Sequence, residues 1–194
     1  MDNYLFKNAH DALVFAFNYS GQQFGRSLLN TTMAPVGSGK GLSGVDGAGQ
    51  AGMIRAAVAR MGRIPEAILT ARFAPRTVID ELCSCPACDK KHPNREWTAA
   101  IEVLAQYLKE NLLEGNYTSW DMRTQYIMRL FIDRNKNVTF DELASRNNVH
   151  KNTVVAHFKI VRSFFLGNTG WEHQTMSMIE DELIDIGMVG RTKK

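Results

Sequence analysis

The sequence predicts an all-α protein: a helical bundle with a C-terminal helix-turn-helix domain and a small cysteine-rich, zinc-binding loop. Three observations point there. Apolar residues recur at helical spacing in several stretches, most clearly Trp97, Ile101, Leu104, Leu108 and Leu112. No stretch alternates apolar and polar residues with the period of two that a half-buried strand requires. Thr139-Phe140-Asp141-Glu142 has the T-x-x-E form of a capping box, in which two side chains satisfy two orphan N–H groups at a helix start.

The elements follow in order. Residues 8–19 read as a helix, with Ala12, Leu13, Phe15, Ala16 and Tyr19 partly at helical spacing. Glycines 37, 39, 41, 44, 47, 49 and 52 make 36–53 begin as an exposed loop, because each costs a regular element backbone entropy. From about Ala48, the pattern Met53, Ile54, Ala57, Val58 and Met61 predicts a short helix to Gly62, with Asp46 and Gln50 capping it. Another is expected over Ile64–Ala71, where Pro65 suits a first turn. Pro86 and Pro93 rule out a long regular element in 83–93. The Trp97–Leu112 stripe ends near Gly115, and Ser119 is placed to cap a further helix with Trp120, Ile127, Leu130 and Phe131 inward and Arg123 and Arg129 outward. The last helix, Gly170 to Ile186, sets Trp171, Met178, Ile179, Leu183 and Ile186 on one side and acidic residues elsewhere, and Arg191–Lys194 reads as a frayed tail. Trp97, Trp120 and Trp171 fit core packing near helix starts better than base stacking. The expected organisation is an N-terminal helical region with a glycine-rich loop over 1–82, a Cys/His loop over 83–93, and a helical domain over 94–194.

Composition excludes several classes. With 44% hydrophobic and 22% charged residues among 194, the chain is neither disordered nor fibrous. No apolar run approaches the roughly 20 residues of a membrane helix, and Ala12–Phe17 is too short and lacks a basic start for a signal peptide, so a cytoplasmic location is expected. Net charge is only +3, but residues 119–166 hold eight basic and four acidic side chains while 167–194 hold three and five. The positive excess coincides with the capping-box region.

There, Leu143 and Ala144 make a short helix that breaks at Asn147-Asn148, and Val154, Phe158, Val161 and Phe165 give a second, longer one over a helix-turn-helix of about 139–166. In that motif the start of the second helix enters the major groove. Lys151, Asn152, Thr153 and His157 are the candidates for base contact, since Asn and Lys pair with adenine and guanine edges. Arg146, Lys159 and Arg162 flank them as phosphate ligands. The plain alternative is an amphipathic hairpin with a solvated charged face.

All three cysteines fall at 83, 85 and 88, followed by His92, four ligands of the kinds that hold a tetrahedral structural zinc. Their confinement to one segment argues against a disulfide framework. Three unpaired thiols with an incidental histidine is the alternative. Gly37-Ser38-Gly39-Lys40-Gly41 fails as a phosphate loop, since Ala34 and Gly41 stand where Gly and Ser or Thr are required. It reads as a linker or as a mobile loop whose Lys40 touches nucleic acid or polymerase, and no enzymatic activity is expected. His10 and His173 fit ordinary polar positions.

The segment VTFDELASRNNVHKNTVVAHFKIVRSFF resembles the sigma-region-four type of helix-turn-helix. SWDMRTQYIMRLFIDRNKN before it, GWEHQTMSMIEDELIDIGMVG after it, and the segments GKGLSGVDGAGQAGMI and CSCPACDKKHPNREW resemble the late-gene antitermination (Q) proteins of lambdoid phages. That resemblance implies a bacteriophage or prophage regulator that binds double-stranded DNA beside a late promoter and loads onto bacterial RNA polymerase. It would then travel with the enzyme, alter its RNA exit channel, and carry it through pauses and terminators. Contact with nascent RNA and binding of DNA by two protomers are compatible with this. A conventional DNA-binding regulator acting at initiation is the alternative. The acidic side of the last helix, Glu180 and Glu182 included, should lie away from DNA and is a candidate polymerase contact.

Overall fold

A computed structural model describes residues 4–19, 44–80, 85, 90–132 and 138–190. These residues are mostly helical, in agreement with the all-α expectation. Helix α1 (Ala9–Asn18) starts where the Asn8 side chain accepts from the Asp11 N–H at 2.8 Å, and it buries Ala9, Ala12, Leu13, Ala16 and Phe17. Helix α2 (Gly44–Arg60) begins about one turn before the expected start near Ala48, incorporating Gly44, Gly47, Gly49 and Gly52. Buried Ala51, Ile54, Ala57 and Val58 supply packing that outweighs the poor helix propensity of the glycines. Asp46 stands in its first turn, and Gln50 is buried within the helix. The Gly37–Gly41 run and Lys40 lie outside the described residues, as does the tail from Arg191.

Helix α3 (Arg63–Phe73) carries Pro65 in its first turn and buries Ala67, Ile68, Leu69 and Ala71. It leads to a two-stranded antiparallel ribbon, β1 (Thr77–Ile79) and β2 (Lys91–Pro93), pairing Thr77 with Pro93, Val78 with His92 and Ile79 with Lys91. The sequence did not announce this ribbon. Three residues are too few to display a period, and β1 is exposed throughout, so no apolar alternation marks it.

Helix α4 (Arg95–Tyr107) realises the clearest sequence stripe: Asn94 caps it by accepting from Glu96 N–H at 3.0 Å, and Trp97, Ala100, Ile101, Leu104 and Ala105 are buried. The Trp97 indole donates to the Ala71 carbonyl at 3.2 Å. The helix widens into a π-helical turn over Leu108–Leu112, which lets Leu108 and Leu113 both be buried before the chain turns at Gly115. Helix α5 (Trp120–Phe131) is capped by Ser119 as expected and buries Met122, Arg123, Tyr126, Ile127 and Leu130. Two orientations are the reverse of the sequence expectation: Trp120 is exposed and Arg123 is buried. Helices α6 (Phe140–Arg146), α7 (Lys151–Leu166) and α8 (Trp171–Asp185) complete the order. In α8 the buried positions are Thr175, Ile179 and Leu183, while Met178 faces solvent.

The described residues form two compact units. One draws on 1–62, 73–75 and 176–194, because a bridge between Phe6 and Val189 and the Arg60–Glu182 ion pair join early and late parts of the chain. The other comprises 63–72 and 76–175; in it α4 packs on α5, and α7 packs on both α5 and α6.

Glycine substitutions test this packing with opposite signs. Gly52 is exposed inside α2, and a Cβ added there would have nothing within 4 Å, so Gly52→Ala is expected to raise stability by roughly 0.5–1 kcal/mol. At Gly170 a Cβ would meet the Phe165 carbonyl oxygen at 2.5 Å and the Gly167 nitrogen at 2.7 Å, both rigid backbone atoms. Gly170→Ala is expected to lower the urea midpoint, and equal midpoints for the two variants would contradict this description of the α7–α8 corner.

Candidate nucleic-acid interface

The corner between α6 and α7 is built from local hydrogen bonds that the sequence encodes almost residue by residue. Thr139 Oγ1 accepts from Glu142 N–H at 3.2 Å, and the Glu142 carboxylate accepts from the Thr139 N–H at 2.8 Å, completing the capping box. The backbone hydrogen bond from Thr139, its hydroxyl and the nearby Arg146 together hold the Glu142 carboxyl below the usual glutamate range. At the other end Asn148 takes φ 52°, the left-handed conformation that asparagine tolerates better than most residues. Its N–H reaches the Ser145 carbonyl at 3.3 Å and the Val149 N–H reaches that of Ala144 at 3.1 Å. This is the Schellman pattern, with asparagine where glycine is usual. Two residues later α7 starts, with His150 Nδ1 accepting from the Asn152 N–H at 3.1 Å.

Asn147 ties this corner to α5. Its amide donates to Asp121 Oδ2 at 3.0 Å and to the Leu143 carbonyl at 2.9 Å, and its Oδ1 accepts from the Ser119 hydroxyl. Ser119 in turn accepts from Met122 N–H at 3.0 Å as the α5 cap. One side chain therefore links the start of α5, the end of α6 and the turn before α7.

The inner face of α7 presents Val154, Val161 and Phe165, all fully buried. Phe158 packs between rings, with its centroid 5.4 Å from Phe140 and 6.3 Å from Tyr126. Arg129 caps this cluster, its guanidinium 4.0 Å from the Phe140 centroid while it donates to the Val138 carbonyl. It is thus engaged in packing rather than held out as a free cation. Arg123 donates to the Thr118 carbonyl and Oγ1 from a buried position against Trp120.

Of the expected base-contacting residues, Lys151, Asn152 and Thr153 lie exposed on the first turn of α7, and the expected phosphate ligands Arg146, Lys159 and Arg162 are exposed as well. His157 is a correction. It is 6% exposed and stands on the inner face, its Nδ1 3.4 Å from the Tyr126 hydroxyl, so it supports α7 from beneath and does not face outward. The physical reason is register: His157 lies three residues after Val154 and four before Val161, on the stripe that the core claims. Lys151 is not wholly free, since its ammonium pairs with Asp141 Oδ2 at 2.8 Å, although both groups are about half exposed or more. Sequence reasoning missed Asn147, which read only as a helix break, and His150, whose capping role has no strong sequence signature. It also missed exposed Val155, which a burial-based reading of valine would assign to the core.

The expected zinc ligands fall only partly within the described residues. Cys83 and Cys88 lie outside them, Cys85 is exposed, and His92 is half-buried on β2 opposite Val78. Among the described residues no cluster of three such ligands occurs. The ribbon holds the ends of the cysteine segment together, because the Asp80 N–H donates to the Lys90 carbonyl at 2.8 Å. In the last helix Glu182 is ion-paired with Arg60, which leaves it less available to a partner than Glu180. No helix among the described residues is long and apolar enough to cross a membrane. No protein-family model, curated protein or solved structure matches the chain.

Burial pushes the His157 imidazole below its ordinary pKa, so the neutral ring is the form that suits the fold. The unfolded chain takes up a proton near pH 6.5 and the folded chain only at lower pH. Stability from this residue is therefore fully present above about 6.5 and is lost as pH falls from there towards the folded value. Urea unfolding at about pH 7.5 and about pH 5.5, on either side of that value, should show a larger acid loss for the wild type than for His157→Gln. Equal losses would mean that His157 is not buried neutral.

Proposed function

We infer that this chain is a DNA-binding transcription regulator in which α6, the turn over 147–150 and α7 act as a helix-turn-helix, α7 being the groove-reading helix. The observation that carries this is one face: exposed Lys151, Asn152, Lys159 and Arg162, with Thr153 exposed at the same helix start, stand on a helix whose inner face buries Val154, His157, Val161 and Phe165 and whose start is fixed by the His150 cap and Asn147. Such a helix presents hydrogen-bonding groups in a set geometry, which is what base readout demands. Arg146, Lys159 and Arg162 supply phosphate contacts, and Lys151 and Asn152 the base contacts, Lys151 exchanging Asp141 for a base edge.

Within this class we favour an antitermination factor that binds beside a late promoter and joins RNA polymerase, without catalysis of its own. The support is the resemblance of the segments quoted above to the late antitermination proteins of lambdoid phages. A second reading, a regulator acting only at initiation, uses the same helix. Purified transcription on a template with the flanking promoter and a downstream terminator separates them. Read-through that requires promoter-proximal DNA is expected; altered initiation with normal termination would select the second reading. On the recognised duplex, Lys151→Ala and Asn152→Ala should each lose about 1–3 kcal/mol of specific binding, whereas Arg162→Ala should weaken all duplexes and flatten the salt dependence. Unchanged specificity in the first two variants would remove α7 from the groove.

Zinc belongs to the same proposal, held by Cys83, Cys85, Cys88 and His92. A ribbon of three residues per strand, with Val78 and Ile79 exposed, has little core of its own, and such isolated hairpins are marginal in water. Thiolate and imidazole ligation would supply the missing folding energy. Metal analysis of the purified protein should give one zinc per chain, and chelation should lower the melting temperature. A metal-free protein with an unchanged melting temperature on chelation would refute the site.

A further inference from the structure

The outer face of α7 contains a group that phosphate binding does not explain. Val155 is 39% exposed, although its neighbours on that face are cationic or amide-bearing. It stands one turn after Lys151 and three residues after Asn152, and one turn before Lys159, so these four side chains form one contiguous patch. The same turn of the helix sends Val154 into the core, which fixes the direction of Val155 outward. A β-branched side chain in a helix has essentially one χ1 rotamer, so its two methyl groups are held in a defined position.

Valine can neither donate nor accept a hydrogen bond. On the major-groove edges of the four base pairs, the group that matches it is the C5-methyl of thymine. Lysine and asparagine on either side pair with polar edges, and Lys159 attracts the backbone. We propose that Val155 is a specificity-determining residue that recognises a thymine methyl group in the DNA site. This rests on the reading of α7 as the groove-reading helix and adds to it the identity of one base.

The test begins with selection of a bound duplex from a random-sequence pool by the full-length protein. Each thymine of the selected site is then replaced by uracil, which deletes the methyl group and leaves every hydrogen-bonding atom in place. At one thymine, uracil should weaken binding about fourfold, the effect of exposing one methyl-sized group to water. Val155→Ala, which keeps helix propensity high while withdrawing both methyl groups, should weaken binding to the thymine duplex similarly and bind the thymine and uracil duplexes equally. Circular dichroism of the variant checks that the helix is retained, as expected for an exposed position.

A selected sequence whose affinity ignores uracil at every position, or a uracil penalty that persists in Val155→Ala, overturns the assignment of Val155 while leaving α7 in the groove. A pool that yields no preferred sequence overturns the groove-reading role itself, and the thymine contact with it.

Discussion

The geometry of the candidate interface depends on Asn147. A helical corner spanning 147–150 has several ways to bend, and the Schellman bonds at Asn148 and Val149 fix only its own backbone. Asn147 adds the long-range term, joining the corner to Asp121 and Ser119 at the start of α5. Helix α5 is in turn set against α4 by its buried Met122, Tyr126, Ile127 and Leu130. The direction in which α7 points its outer face therefore follows from the packing of α4 on α5, both through the half-buried Asn147 amide and through the direct packing of α7 on α5. A side-chain amide suits this task because it offers donors and an acceptor at once, so it can satisfy Ser119 as an acceptor and Asp121 as a donor.

The inner face of α7 shows the corresponding constraint in the core. Val154, Val161 and Phe165 could have been joined by a fourth apolar residue, yet the position between them holds His157 against Tyr126. A buried imidazole is tolerated where it stays neutral and finds a polar partner. The phenol of Tyr126 is itself pushed above its ordinary range by burial, so it remains a hydroxyl and can serve as that partner. The pair fixes the register of α7 on α5 more narrowly than aliphatic contact alone.

Much of this was legible in the sequence where the signal is local. The Thr139 capping box, the Ser119 cap, the stripe of α4 and the break at Asn147-Asn148 each depend on residues within a few positions of one another. What failed depended on partners distant in sequence or on burial competing with residue type. Helix α2 runs through its glycines because residues elsewhere cover it; the 77–79/91–93 ribbon is too short and exposed to carry a pattern; His157, Arg123 and Trp120 each sit opposite to what polarity alone suggests. Arg123 illustrates the cause, since its long stem can be buried while the guanidinium finds the Thr118 carbonyl, an option that no spacing rule reveals.

The acidic residues beside the interface sharpen the electrostatic argument. Asp141 and Glu142 occupy the first turn of α6, where they complement the helix dipole and close the capping box. That helix start is therefore filled by the protein's own carboxylates and is a poor seat for a phosphate. Any duplex on this face must draw its backbone attraction from Arg146, Lys159 and Arg162, which lie along and beyond the turn rather than at the start of α6. The exposed Lys151–Asp141 pair adds little to folding, as exposed ion pairs contribute only about 0–1 kcal/mol. So weak a pair lowers the local positive charge at the start of α7 without fixing the ammonium, which stays free to exchange Asp141 for another acceptor.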